Sequence, residues 1–348
     1  GRLHQAPGAL AMTGAPPHPA PFPAADAAVL DAWADAWGAD PLRVQGPGAN
    51  LSLKHGPTMR IKASGARLDA RKDGRLWTDV DLGSCVRALP PPRPGRPGRD
   101  AETQYANAVI QAPLAAGMPR PSMELGMHAT LAARCVVHLH SLAGVLLAAM
   151  SPRDPRAMDL LAPIRAAGFA VRRVPAVRPG LALTWAVAAR AEPAPRSTGT
   201  LFLLAGHGLI WVADDPERIT TVEAMFEADA RRALDLALPM PACRAVAGGM
   251  DCDFRAWPDF AWDSRPAFPD FAVFFPDPAR RPVARGRIVH VPSGPAPRDA
   301  VELVYAQAVL SVRARSLGLA VALPARVADT VAALQLERLR RAPTPRSP

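Results

Sequence analysis

Between Ala25 and Gly38 apolar residues recur at helical spacing, with Leu30, Trp33 and Trp37 on one face, and the predicted helix stops at Gly38. From Gln45 to Asp81 the period shortens, and Leu51–Leu53, Arg60–Ala63 and Trp77–Leu82 read as strands separated by turns. Pro90–Arg99 is a Pro/Gly/Arg loop that admits no regular element. From Ala101 helices and strands alternate. The pattern predicts helices over Glu102–Gln111 and Ser122–Ala133, a buried strand over Cys135–Leu139 and a helix over Ser141–Met150. It continues with a strand at Ala170–Val174, a helix at Gly180–Ala189, strands at Thr200–Leu204 and Leu209–Val212, and a long helix from Pro216 to about Leu236. Such alternation predicts an α/β fold with a sheet covered by helices. Residues 247–281, dense in Pro, Asp, Phe and Trp, read as irregular. A strand at Arg287–Val291 and helices at Ala300–Leu317 and Arg326–Arg340 follow. There is no internal repeat.

The expected organisation is a flexible leader over 1–24, a core domain over 25–240, a C-terminal extension over 241–341 forming a small lobe, and a disordered tail over 342–348. At 49% hydrophobic residues the chain can build a sizeable core, which excludes wholesale disorder. Its 40 prolines and its excess of Arg over Lys sit in an Ala-rich background, a mixture that tracks nucleotide composition, so the net charge of +10 carries little weight. Between Tyr105 and Phe226 only Phe169, Trp185, Phe202 and Trp211 interrupt the aliphatic pattern, which leaves no stacking platform for nucleic acid. Cys85, Cys135, Cys243 and Cys252 lack CxxC spacing and read as reduced thiols. No apolar stretch reads as a membrane span, and no signal-peptide pattern opens the chain. The expectation is a soluble, cytoplasmic protein.

Chemistry concentrates in a few short segments. In a strand, residues i and i+2 project from one face, so His138 and His140 aim two imidazoles at one point, an arrangement suited to a divalent transition metal. Alone, such a pair is more often accidental or hydrogen-bonded than metal-binding. His207 lies between Gly206 and Gly208, where the backbone can turn sharply and present the ring inward. Three histidines with an open fourth position make a catalytic rather than a structural zinc arrangement. Pro121-Ser122-Met123-Glu124 reads as a helix start, with Ser122 as N-cap and Glu124 in the first turn, where the helix dipole alone would favour a carboxylate. His128 follows at i+4 on the same helix face, where it either orients Glu124 or simply packs, and packing is the favoured reading. Gly46–Ser52 and Lys62–Gly65 combine Gly turns with Asn and Ser, the ingredients of an anion cradle as well as of ordinary surface turns. Neither a Walker loop nor a GxGxxG after a strand is present.

In order along the chain, Gly48-Ala49-Asn50-Leu51-Ser52, Lys62-Ala63-Ser64-Gly65, Pro121–Glu124 with His128, His138-Leu139-His140 and His207-Gly208 resemble the class II aldolase/adducin family. The resemblance spans about Leu42 to Leu236. It is closest to the rhamnulose-1-phosphate aldolase branch of bifunctional aldolase/dehydrogenases, whose PDxVV segment is similar to Pro269–Val273 and whose terminal helix is similar to Leu323–Arg341. The family's pattern differs at Ala49, where glycine is common, at Met123, where serine is common, and at Gly206, where Asn is usual.

The resemblance implies a three-layer α/β/α sandwich with a central, mostly antiparallel sheet. It also implies that residues 25–240 are the class II aldolase/adducin domain. His138, His140 and His207 would hold Zn2+ or another divalent transition metal, and Glu124 would be the acid/base. Asn50, Ser64, Gly65 and Ser122 would bind a substrate phosphate. The implied reaction is cleavage of a phosphorylated ketose to dihydroxyacetone phosphate and an aldehyde through a metal-stabilised enediolate. A sugar-phosphate epimerase or dehydratase, or a non-catalytic adducin-like scaffold, is the alternative. The implied partners are a small sugar phosphate and further copies of the chain in a homo-oligomer, often a tetramer, with no nucleic acid and no membrane.

Overall fold

In the computed structural model, residues 21–70, 74–93, 95–191, 199–334 and 336–338 are described. The expectations about residues 1–20 and 342–348, and about the end of the last predicted helix, lie outside the described residues. The Leu30–Trp33–Trp37 stripe is the buried face of α1 (Ala24–Trp37). The helix ends at Gly38, where a Cβ would come within 2.7 Å of Leu68 Cβ and 2.8 Å of Asp69 N, so this close passage requires glycine.

Strands β1 (Asn50–His55), β2 (Thr58–Lys62) and β3 (Trp77–Asp81) form an antiparallel meander. The chain then enters α2 (Leu82–Ala88), which the linear pattern does not predict. Asp81 caps it by accepting the Ser84 N–H at 2.6 Å, but seven residues are too few to display a period. Next come α3 (Arg99–Gln111), α4 (Leu125–Thr130), β4 (Cys135–Leu139) and α5 (Leu142–Ala149). The α4 helix is shorter than expected and starts after Glu124 instead of at Ser122. A second unpredicted helix, α6 (Pro155–Ala166), has Asp154 as its cap and Pro155 at its start, but Pro163 inside it reads as a breaker. β5 (Phe169–Val174), α7 (Leu181–Ala188), β6 (Gly199–Leu204), β7 (Gly208–Ala213) and α8 (Pro216–Ala233) follow.

These seven strands make one sheet in the order β3-β2-β1-β4-β7-β6-β5, antiparallel except for the β5–β6 pair. It is the expected mixed α/β architecture with a mostly antiparallel sheet. β4, β6 and β7 are covered on both faces, which is why they read as continuous apolar runs. Side-chain alternation sorts the two layers. Val137, Leu139, Leu209 and Trp211 pack in one cluster with Leu146 of α5 and Phe226 of α8. Val136, Ile210 and Val212 pack on the other side with Met127 of α4 and Leu183 and Val187 of α7. The even-numbered face of β4, which His138 shares, therefore looks towards α4.

Beyond α8, the stretch read as irregular contains regular elements: β9 (Gly249–Asp253), which pairs with β8 (Ala242–Val246), and the helix α9 (Pro269–Phe274). A short 3₁₀ turn at Pro278–Arg280 leads to β10 (Val283–Arg285), β11 (Ile288–Pro292), α10 (Pro297–Leu317) and α11 (Ala325–Val331). The four strands form a second, antiparallel sheet in the order β10-β11-β9-β8. Its β8–β9 register sets Cys243 opposite Cys252, and the two form a disulfide with Cα atoms 4.2 Å apart. This corrects the reading of four reduced thiols and removes the cysteine argument for a reducing compartment. Spacing along the chain is silent about such a pair until a hairpin places the two residues across from each other. Cys85 and Cys135 are buried thiols. α10 is buried without a break from Glu302 to Ala314 and shares its hydrophobic cluster with α5, so the core runs across residue 240. No described helix is long and apolar enough to cross a membrane.

Candidate metal centre

Two-residue periodicity places His138, on β4, and His140, one residue beyond it, on the face of the sheet that looks towards α4. His207 enters from the β6–β7 turn, where Gly206 has φ of 64° and Gly208 φ of 132°. A Cβ on Gly208 would run into the Leu139 carbonyl, so the turn that presents His207 exists only with glycine there. The ring centroids are 4.9 Å (His138–His140), 4.9 Å (His138–His207) and 5.0 Å (His140–His207) apart. One nitrogen from each ring lies within 4.8 Å of the others, and all three residues are buried.

His138 Nδ1 lies 2.9 Å from the Leu209 carbonyl, so Nδ1 carries the proton and donates it, leaving the Nε2 lone pair for the centre. That Nε2 is buried without a hydrogen-bond partner, and so is Glu124 Oε1. Burial pushes both His138 and His207 below the ordinary histidine range, His207 to about 3, so at neutral pH these rings are uncharged and competent to ligate. Three converging imidazoles with an orphaned buried nitrogen among them fit a divalent transition metal.

Glu124 is the residue immediately before α4, with its carboxylate reaching between two of the histidines. Oε2 is 3.4 Å from His138 Nε2, and Oε1 is 3.5 Å from His207 Nε2. Burial acts to raise this carboxyl, whereas any positive charge among the His138, His207 and His140 rings, and the hydrogen bond from the Asn50 amide, act to lower it.

Of the two readings of His128, orienting Glu124 or packing, the structure supports the orienting one over the favoured one. His128 is fully buried and joined to Asn50 Oδ1 through Nε2 and to Ser52 Oγ through Nδ1 at 2.7 Å. Burial pushes it down to about 3, so the ring is neutral and Nε2–H donates to Asn50 while Nδ1 accepts from Ser52. Asn50 Nδ2 then donates to Glu124 Oε2 at 2.7 Å. The carboxylate is therefore held by a buried relay from β1 and α4. Local spacing could place His128 on the Glu124 side of the helix but could not place Asn50 between them.

The four residues expected at a substrate phosphate come together around one cleft. Ser64, Gly65 and Ser122 line it beside Glu124, with Asn50 and Lys62. The two segments are laced by a bridge between Ala63 and Pro121, with Ser64 N–H on Arg120 O at 2.8 Å and Ser122 N–H on Lys62 O at 3.0 Å. Ser122 does not cap α4 but accepts the Glu124 N–H at 3.2 Å. Asn50 differs from the other three, since its carbonyl oxygen serves His128 and its amide serves Glu124. Lys62 donates to the Pro47 carbonyl at 2.8 Å and so supports the Gly46–Asn50 loop. In that loop Ala49 has φ of 59°, a conformation that favours glycine, at the position where the family pattern commonly carries one.

Two contributions from the C-terminal extension escaped the sequence reading. Asp270, on α9, is buried, lines the cleft and brings Oδ2 to 2.5 Å from His140 Nδ1. Its signal was the Pro269–Val273 segment, whose similarity to a family tail carried no residue role. Glu302 of α10 accepts the Gly46 N–H at 2.8 Å and pairs with Arg67, which also pairs with Asp299. No local pattern distinguishes these helix acids from solvent-facing ones.

Residues 42–234 match the family described as Class II Aldolase and Adducin N-terminal domain. No curated protein matches the chain. Among solved structures, the chain is similar to the N-terminal class II aldolase domain of a conserved protein from Thermoplasma acidophilum, at 20% identity and a TM-score of 0.46 over 58% of this chain and 91% of that one. It is also similar to an L-fuculose-1-phosphate aldolase from Thermus thermophilus, at 18% identity and a TM-score of 0.37 over 61% and 97%. A sugar-phosphate aldolase from Thermotoga maritima aligns at 14% identity and a TM-score of 0.38 over 61% and 97%.

Proposed function

The chain belongs to the class II aldolase and adducin family, and from that premise we propose that it is a zinc-dependent aldolase cleaving a phosphorylated ketose to dihydroxyacetone phosphate and an aldehyde. The observation that carries this reading is the convergence of three buried imidazoles on one point, with the Glu124 carboxylate between two of them. His138, His140 and His207 hold the metal, and zinc suits a set of three histidines. When bound, the metal contributes Lewis-acid stabilisation of the negative charge that develops on the substrate oxygens.

The remaining work falls to the chain's own groups. In aldol cleavage the bond between the α and β carbons breaks, and the β-hydroxyl gives up its proton as the aldehyde forms. The electron pair stays on the carbonyl half as an enediolate, which then takes a proton at carbon. The Glu124 carboxylate takes the β-hydroxyl proton and returns it to the enediolate carbon, so no net proton is gained or lost; Oε2 is anchored by Asn50, and Oε1 is buried without a hydrogen bond. Ser64, Gly65 and Ser122, with Asn50, bind the phosphate and orient the ketose along the cleft. In this reading residues 25–240 carry the chemistry, and α9 and α10 of the C-terminal extension support it through Asp270 and Glu302. The chain assembles as a homo-oligomer, a tetramer by analogy with the family, which light scattering of the purified chain tests.

The deciding experiment is metal analysis of the purified protein followed by a screen of ketose 1-phosphates. About one zinc per chain, lost in a folded His138→Ala/His140→Ala double variant, with aldehyde release from a ketose phosphate, is the expected result. An interconverted sugar without aldehyde would replace cleavage by epimerisation. A protein that takes up no metal when zinc is supplied would leave the scaffold reading in its place.

A further inference from the structure

We infer that Asp270 is the positioning residue of His140, so that the C-terminal extension completes the metal centre from within the same chain. This rests on the reading of His138, His140 and His207 as metal ligands.

A ligating imidazole needs its second nitrogen held, because that contact sets the tautomer and the ring angle. For His138 the Leu209 carbonyl holds Nδ1. For His140 the group standing at Nδ1 is the Asp270 carboxylate, 2.5 Å away. This is an ion-pair contact and not an aligned hydrogen bond like that of His138. Nε2 of His138 and of His207 faces Glu124, and an acid held at Nδ1 of His140 leaves its Nε2 for the same centre. The carboxylate is carried on a rigid support. Phe271, Ala272 and Val273 of α9 are fully buried, and Phe271 packs against Phe268 and Phe275 with ring centroids 6.2 and 5.0 Å apart. α9 therefore cannot shift to relieve a misplaced acid.

The test is a zinc competition titration of the full-length protein against a chromophoric chelator, read as affinity and not as turnover. Asp270→Asn keeps the size and polarity of the side chain, and it should weaken zinc binding about 10- to 100-fold. Introduced into a His140→Ala background, the same substitution should change affinity less than about twofold, because nothing remains to be positioned. Asp270→Glu should recover part of the loss. Wild-type affinity in Asp270→Asn would overturn the inference and leave the aldolase reading intact. An equal loss in the His140→Ala background would also overturn it, since Asp270 would then act through the fold and not through His140. If the wild-type protein itself binds no zinc, the metal centre and the role of Asp270 fall together.

Discussion

Asn50 and His138 are register partners across the antiparallel β1–β4 ladder, so one pair of strands fixes both the amide that grips Glu124 and an imidazole beside it. Asn50, which grips Glu124, and His138 cannot drift apart without breaking main-chain hydrogen bonds. A site built across adjacent strands is preorganised in this sense, and its chemistry can be separated from its metal binding by substitution.

Glu124→Gln retains the hydrogen bond from Asn50 to a side-chain oxygen while removing the transferable proton. The cleavage rate should fall about 10²- to 10⁴-fold with zinc stoichiometry unchanged. Turnover measured alongside metal content checks this, and loss of metal in the variant would instead make Glu124 an obligatory ligand.

His128→Leu removes the far end of the relay. Asn50 Oδ1 and Ser52 Oγ lose a buried partner, at a cost of about 1–3 kcal/mol in stability. Metal content should persist and turnover should drop by about tenfold or more as Glu124 loses its fixed angle. Urea denaturation with a zinc assay separates the two effects.

Gly48→Ala places a Cβ 2.7 Å from His140 Nδ1 and 2.8 Å from the Gln45 carbonyl. The carbonyl contact forces the loop around Gly48 to shift, and the His140 contact displaces the ring with it. The expected outcome is a loss of zinc affinity of about tenfold or more, measured by chelator competition, in a protein that still folds cooperatively.

Glu227 makes a prediction about pH. Burial first, and the neighbouring Glu223 second, push this carboxyl up to about 7, against the pull of Arg43 and Arg231. Between the unfolded value near 4.5 and the folded value near 7 the native state holds a proton that the unfolded chain has lost. Stability contributed by this group is therefore full below about pH 4.5 and falls as pH rises towards 7, by on the order of 3 kcal/mol. Denaturant melts across this range should show the decline, and Glu227→Gln should flatten it.

The linear chain alone determined the α/β class, the positions of the central strands and the three candidate ligands. Those readings rest on local physics: a period of two puts His138 and His140 on one face, unbroken apolar runs mark strands covered on both sides, and glycines flank a His that must face inward. The family pattern added Glu124 and the phosphate residues as expectations, and the family itself is the one matched over residues 42–234. Short or proline-bearing elements such as α2, α6 and α9 stayed hidden because they are too brief or too interrupted to display a period. Tertiary structure alone decided that Cys243 meets Cys252, that Asn50 stands between His128 and Glu124, and that Asp270 reaches His140. Each of these joins residues through space on surfaces that only the assembled sheet and its covering helices bring together, so no spacing along the chain could announce them.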